Sequence, residues 1–388
     1  MAESEDIRTT ENVDTKKKEK KVASRGSRPD NIVAKENDVL EACLALEKEL
    51  PQFLRGYFAY LRANVLPMTR LAYLQDIRLF CTWLTNYFDK IEEKDIKELT
   101  ASDFEVVKGK DVNMFLDYCR RYEKETDDVV YVYENHKRTL ARKKSVVTGL
   151  FKFLYRDELI SQNITDSFDP IRVPRPGERE IKALQDDEVM RMLDAVSSGK
   201  GLTKKEHDFW EKTKYRDKAI LMLFLTYGLR LSELQQLNVS SFNFQRGEFK
   251  IYRKRGKESM MPINHSVEQV IKDYLQLERK KNEMLEDEYK DALFLSLQGK
   301  RMTERQIREL VKKYTALGLS TSRSGGYSPH KLRATAATSL IGRGYSIYDV
   351  QALLDHDQVT TTQLYAAHRM GVKRDLVKGM EWEVERKE

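Results

Sequence analysis

Three features of the chain predict a mainly α-helical protein of two domains. Apolar residues recur at three- and four-residue spacing over most of its length, and a proline cluster, DPIRVPRPGERE (169–180), interrupts that pattern once. Short alternating segments of the kind that pair into a small antiparallel sheet follow that break. At 388 residues the chain is long enough to bury two cores. The expected division is a flexible charged arm over 1–40, a helical bundle over 41–172, a linker over 173–185, a second, α-rich domain over 186–375 and a terminal segment over 376–388.

Residues 1–40 are charged and poor in aromatics, with a TKKKEKK cluster, and show no helical or strand period. From Leu40 to about Arg172 the text reads as helix. Between Met68 and Phe88, Leu71, Leu74, Ile77, Phe80, Trp83, Leu84 and Tyr87 form an apolar stripe that begins after Pro67, while Arg70, Asp76 and Arg78 fall on other faces. A second helix is expected from Asn135 to Tyr155, with Leu140, Val147, Leu150, Phe151 and Leu154 turned toward the first. Pro170, Pro174 and Pro176-Gly177 cannot continue a helix and mark the linker. Helical text returns at RDKAILMLFLTYG, and FNF, EFKIYR and SMMPI then read as three antiparallel strands with turns at Gln245-Arg246-Gly247 and Arg255-Gly256. Ser266 with Gln269 signals the start of the next helix, and the remainder reads as helix.

Lysine and arginine number 69 against 62 acids, a net charge of +7, so charge is informative only by segment. Between His136 and Arg156 lie Lys137, Arg138, Arg142, Lys143, Lys144, Lys152 and Arg156 with no acid among them, which fits a polyanion as partner and, equally, a solvated helix face. Cys43, Cys81 and Cys119 lack paired spacing and the N-terminus lacks a secretory leader, as expected of reduced core residues in a cytosolic protein. The longest apolar run, near Ala219–Leu225, is far short of the ~20 residues a bilayer requires. Neither a GxGxxG nor a Walker loop is present, and no His, Asp, Glu or Cys cluster has metal-ligand spacing, so no cofactor and no metal is expected.

Arg230 follows Gly228-Leu229 at a break between helices, where a guanidinium can project from a turn and bind a phosphate through two parallel hydrogen bonds. Ser328-Pro329 make a helix start, and His330 and Arg333 share the face of its first turn, where the helix dipole favours an anion. Each of these residues has an ordinary structural alternative. Together with Tyr365 they supply what breaking a phosphodiester with a protein nucleophile requires: charge neutralisation, a nucleophile and proton transfer.

The segments YGLRLSEL (227–234), IYRKRGKESMMPI (251–263), PHKLRATAAT (329–338) and LLDHDQVTTTQLY (353–365) resemble, in order and spacing, those of the tyrosine site-specific recombinases, the group of Xer proteins and phage-type integrases. The resemblance implies that family's fold and a DNA strand-exchange enzyme that works through a 3′-phosphotyrosyl link without metal or ATP. Tyr365 is then the nucleophile, Arg230 and Arg333 neutralise the phosphate, His356 supports it, and Glu233 helps orient the group. Unactivated tyrosine has a pKa near ~10, and His330 is the better base to take its proton. Lys254 aligns with the hairpin lysine that protonates the leaving 5′ oxygen, with Lys257 as competitor or as a backbone-phosphate contact. Lys137, Arg138, Arg142, Lys143 and Lys144 are the expected DNA contacts of the first domain. Two positions depart from the family pattern: Ala334 replaces a frequent His, and Asp355 replaces the usual Gly, putting a carboxylate near the phosphate.

The expected partners are double-stranded DNA target sites, further copies of the chain in a tetramer on two sites, and an accessory DNA-bending or DNA-translocase protein; the expected location is the cytoplasm, at the nucleoid. A Xer-like resolution of chromosome dimers and the integrase or transposase of a mobile element both fit. A type IB topoisomerase and a non-catalytic DNA-binding regulator are the rivals from other classes. Residues 376–388, with Trp382 as anchor, dock either on a neighbouring subunit or on their own domain.

Overall fold

The structure, a computed structural model, describes residues 28–91, 94–126, 129–173, 182–253 and 256–355. Its contacts divide the chain into two units, the first ending at Ile171 and the second starting at Arg172.

The first unit opens with α1 (Asp30–Glu49), so residues 30–40, expected within a flexible arm, are helical instead. Val39, Cys43, Leu46 and Leu50 supply the missed period, Cys43 and Leu50 being fully buried, and Asp30 in the first turn complements the helix dipole. There follow α2 (Arg55–Asn64), α3 (Pro67–Tyr87), α4 (Ala101–Glu105) and α5 (Gly109–Tyr118). Pro67 occupies the first turn of α3, where its missing N–H costs nothing. An antiparallel hairpin, β1 (Arg121–Thr126) with β2 (Val129–Glu134), then interrupts the helical text, contrary to the all-helical expectation for this stretch. The run VVYVY has the β-branched and aromatic character that favours a strand, and Tyr122 stacks on Tyr133 at 5.0 Å. The unit closes with α6 (Lys137–Arg156), which packs on α3 with Phe151 edge-on to Phe80, ring centroids 6.1 Å apart. Arg70 and Asp76, on other faces of α3 than its apolar stripe, are buried too: Arg70 pairs with Glu47 of α1, and Asp76 receives bases from α6.

The second unit contains α7 (Asp186–Ser198), α8 (Lys204–Trp210), α9 (Lys214–Tyr227) and α10 (Leu231–Gln235). Next come β3 (Phe242–Asn243), β4 (Glu248–Tyr252) and β5 (Glu258–Pro262), one antiparallel sheet in that order. The helices α11 (His265–Asp273), α12 (Glu304–Gly318), α13 (Pro329–Gly342) and α14 (Ile347–Leu354) complete it. Asn264, not Ser266, caps α11, its side-chain oxygen accepting the Val267 N–H at 2.9 Å. Asn caps as well as Ser, and the helix therefore starts at the earlier of two adjacent signals. α9 is the centre of this unit: Ala219, Ile220, Leu221, Leu223 and Phe224 bury it nearly all round, with α7, α11 and α13 packed against it. Among the described residues no helix is long and apolar enough to cross a membrane.

Candidate active site

The site begins where α9 stops. Gly228 takes a left-handed conformation (φ +56°) that ends the helix, and a Cβ there would lie 2.5 Å from Leu354 Cδ2, so both the turn and the approach of α14 require glycine. Two residues on, Arg230 is the N-cap of α10. Its N–H and its Nη1 both donate to the carboxylate of Glu233, at 2.8 and 2.7 Å, and its Nη2 donates to the Asp355 carbonyl at 2.8 Å. Glu233 is buried, while the Arg230 side chain keeps 32% of its surface open. The buried acid thus fixes the guanidinium and leaves one side of it available to an anion.

Ser328 and Pro329 start α13 as the sequence predicts. His330, in the first turn, is exposed, yet the protein around it removes part of its water. That desolvation, with the charges of Arg333 and Lys331, pushes its pKa below the ordinary value and favours a neutral imidazole. Arg333 is 3% exposed and donates to the carbonyls of Gly228 at 2.6 Å and Leu354 at 2.5 Å, joining the end of α9 to the end of α14.

The end of α14 is the point of convergence. Its last carbonyls have no partner within the helix and carry the negative end of its dipole. Arg230 takes that of Asp355 and Arg333 that of Leu354, while Arg253, at the end of β4, takes Leu353 at 2.8 Å and Leu354 at 3.2 Å. The motifs did not single out Arg253, although it stands beside Lys254 in the basic text YRKRGK. Asp355 adopts φ +52°, the conformation in which glycine is free of strain. Its carboxylate accepts from Lys257 Nζ at 2.9 Å and lies 4.0 Å from both Arg253 and Arg230. Burial acts to raise the pKa of Asp355, but the Lys257 hydrogen bond and the charges of Arg253, Lys257 and Arg230 outweigh it and lower the pKa. Around the carboxylates of Glu233 and Asp355, Arg253 is buried against backbone carbonyls, while the side chains of Arg230 and Lys257 keep surface open to an anion. Lys254, His356, Tyr365 and the segment 376–388 lie outside the described residues.

In the first unit the basic candidates divide. Lys137 and Arg138 are exposed at the start of α6. Lys143 is not available to DNA: it is 5% exposed and its Nζ lies 2.8 Å from Asp76. Position 143 falls on the apolar stripe with Leu140, Val147 and Leu150, so α6 packing carries it inward, where a charge must be paired. Arg142 is bound to the same carboxylate, and Lys144 donates to the carbonyls of Phe168 and Asp169 at 3.2 and 2.8 Å.

Comparison with known proteins places the chain in a family. The model of the phage integrase family matches residues 182–371. Over 288 residues the chain is 32% identical to tyrosine recombinase XerC of Natranaerobius thermophilus, an alignment covering 70% of this chain and 89% of that one. It is 28% identical over 228 residues to tyrosine recombinase XerD of Staphylococcus epidermidis, covering 59% and 71%. Among solved structures, XerH recombinase bound to a palindromic difH substrate after cleavage is similar with a TM-score of 0.59 at 16% identity, covering 92% of this chain and 91% of that chain. A lambda integrase dimer bound to a core site gives 0.55 at 14% identity, covering 93% and 85%. The two structures share the fold, and the relationship to XerC extends through most of that protein. A likeness of that extent, which includes the unit that gathers its arginines at the end of α14, makes this protein a member of the tyrosine recombinase family, enzymes that cut and rejoin DNA.

Proposed function

We propose that the chain cleaves DNA at a specific site with Tyr365 and that residues 186–375 form the catalytic domain, while residues 41–172 grip the duplex. The Tyr365 oxygen attacks the scissile phosphorus, a bond from that oxygen to phosphorus forms, and the bond to the 5′ oxygen breaks. Arg230 and Arg333 stabilise the charge on the non-bridging oxygens. His330 takes the tyrosyl proton, and Lys254 supplies one to the leaving oxygen. The energy of the broken bond stays in the 3′-phosphotyrosyl link, so rejoining to another strand needs no ATP. One observation carries this reading: Arg230 and Arg333 donate to the Asp355 and Leu354 carbonyls, directly before His356 and about ten residues before Tyr365 in sequence.

The biological act we propose is resolution of chromosome dimers, in a tetramer on two sites at the nucleoid in the cytoplasm, with an accessory DNA-bending or translocase protein. The similarity to XerC and XerD supports it. The test uses a nicked duplex carrying the site that the protein selects from a random-sequence pool. Wild type is expected to trap a covalent adduct in excess EDTA, and Tyr365→Phe to bind with nearly unchanged affinity but form no adduct. An adduct in Tyr365→Phe would move the nucleophile elsewhere. Selection of a site found only at the ends of a mobile element would replace dimer resolution by integration, and relaxation of supercoils without site preference would point to a topoisomerase.

A further inference from the structure

Arg253 is a buried guanidinium that none of the sequence motifs singled out. It is 6% exposed, and burial lowers its pKa by disfavouring its charge, with Arg230 adding to that effect and Glu233 and Asp355 opposing it. Its Nη1 donates to the Leu354 carbonyl, and its Nη2 to the Leu353 carbonyl and to Met261 Sδ, so the guanidinium is held between α14 and the sheet. Apolar side chains of similar volume usually hold two elements together at less cost than a buried charge. What only a guanidinium provides here is simultaneous engagement of successive orphan carbonyls at one helix end.

The other end of this contact is the β4–β5 hairpin. Arg253 N–H donates to the Lys257 carbonyl at 2.7 Å, and Gly256 N–H donates to the Arg253 carbonyl at 3.2 Å, so Arg253 and Lys257 face each other across the hairpin. Both side chains then turn to the same target: Arg253 to Leu353 and Leu354, Lys257 to the Asp355 carboxylate. Two fastenings, one to the backbone of Leu353 and Leu354 and one to the Asp355 side chain, thus bind the hairpin to the end of α14. The residue after Arg253 in sequence is Lys254, the proton donor of the proposed reaction.

We propose that Arg253 is a positioning residue which, with Asp355, clasps the β4–β5 hairpin to the end of α14 and thereby governs protonation of the leaving 5′ oxygen by Lys254. The inference rests on the cleavage reaction proposed above. Its consequence is specific: loosening the clasp slows departure of the leaving group, while phosphate binding through Arg230 and Arg333 persists.

The experiment measures single-turnover adduct formation by the full chain on the selected duplex, once with an ordinary phosphodiester and once with sulfur replacing the leaving 5′ oxygen. A thiolate departs without a proton, so the sulfur substrate bypasses the donor. Arg253→Ala is expected to cleave the ordinary substrate roughly 10–100-fold more slowly, since small misplacements of reacting groups have effects of that size. On the sulfur substrate it is expected to fall within about 3-fold of wild type, with DNA affinity similarly preserved, because it removes no phosphate contact. Arg253→Lys, which can still satisfy one carbonyl, is expected to recover part of the ordinary rate. Asp355→Asn keeps the carbonyl but removes the charge that holds Lys257, and shows the same substrate dependence more weakly; these two variants carry the test if Arg253→Ala does not fold. Equal slowing on both substrates would make the clasp merely structural and overturn the proposal, as would wild-type rates throughout. Absence of an adduct with the wild-type protein would instead overturn the reaction itself.

Discussion

Asp76 lies 3% exposed in α3 and accepts from both Arg142 and Lys143 of α6, Lys143 itself being only 5% exposed. Replacing such a pair by apolar residues is often neutral, whereas removing one partner strands a buried charge. Asp76→Ala is therefore expected to destabilise the first unit by about 3–5 kcal/mol in urea unfolding, because it leaves Lys143 alone among Leu140, Val147 and Leu150. Lys143→Met is expected to cost much less and to leave DNA affinity and its salt dependence unchanged, unlike Lys137→Ala at an exposed position, which should reduce the log–log salt slope by roughly 0.9. An altered salt slope in Lys143→Met would return that lysine to the DNA surface. The sequence shows Lys143 as one of a row of bases, and only its register against Asp76 shows that it faces inward.

At the scale of elements, the end of α9 sets the geometry of the site. Gly228 stops the helix, Arg333 grips its carbonyl, and Leu354 packs where a Cβ would stand. Gly228→Ala imposes a left-handed backbone on a residue with a side chain, worth about 1–2 kcal/mol, and also pushes Leu354 away. The expected outcome is a lower melting temperature of the second unit together with slower adduct formation; a variant that melts lower but reacts at the wild-type rate would separate the turn from the site. The glycine and its turn were legible because a helix break before Arg230 is written in the text. The β1–β2 hairpin was also written, in VVYVY, but sat unread between strong helical periods.

At the scale of the whole molecule, each unit has apolar clusters of its own, which predicts two unfolding transitions in calorimetry. One of them should depend on pH through Glu278. Its carboxylate accepts the N–H groups of Tyr215 and Arg216 at the start of α9, at 3.0 and 3.2 Å. Burial raises its pKa to about 7, with nearby Asp217 acting in the same direction against the N–H bonds and Arg216. The folded state therefore holds a proton that the unfolded state, titrating near ~4.5, gives up. Stability from this group is complete below about 4.5 and is lost as pH rises to about 7. Glu278→Gln retains an acceptor and loses the charge; it is expected to flatten that slope and to stabilise the second unit by about 1–3 kcal/mol above pH 7. A slope unchanged by the substitution would assign the titration to another group.

Helical class, the small sheet and the ordered series from Arg230 to Tyr365 follow from the sequence alone, because period, turn residues and motif spacing are local properties of the chain. The start of α1 and the cap of α11 were also local, but competing signals within a few residues obscured them. What only the tertiary structure decided is which charges face inward and which guanidiniums meet. Lys143 is buried because α6 packs on α3 in one register, and Arg253 joins the site because β4 ends beside α14, a residue about 100 positions away in sequence. Pairing of that kind arises from long-range packing that must satisfy every buried charge and every orphan carbonyl at once, and no segment carries that information by itself.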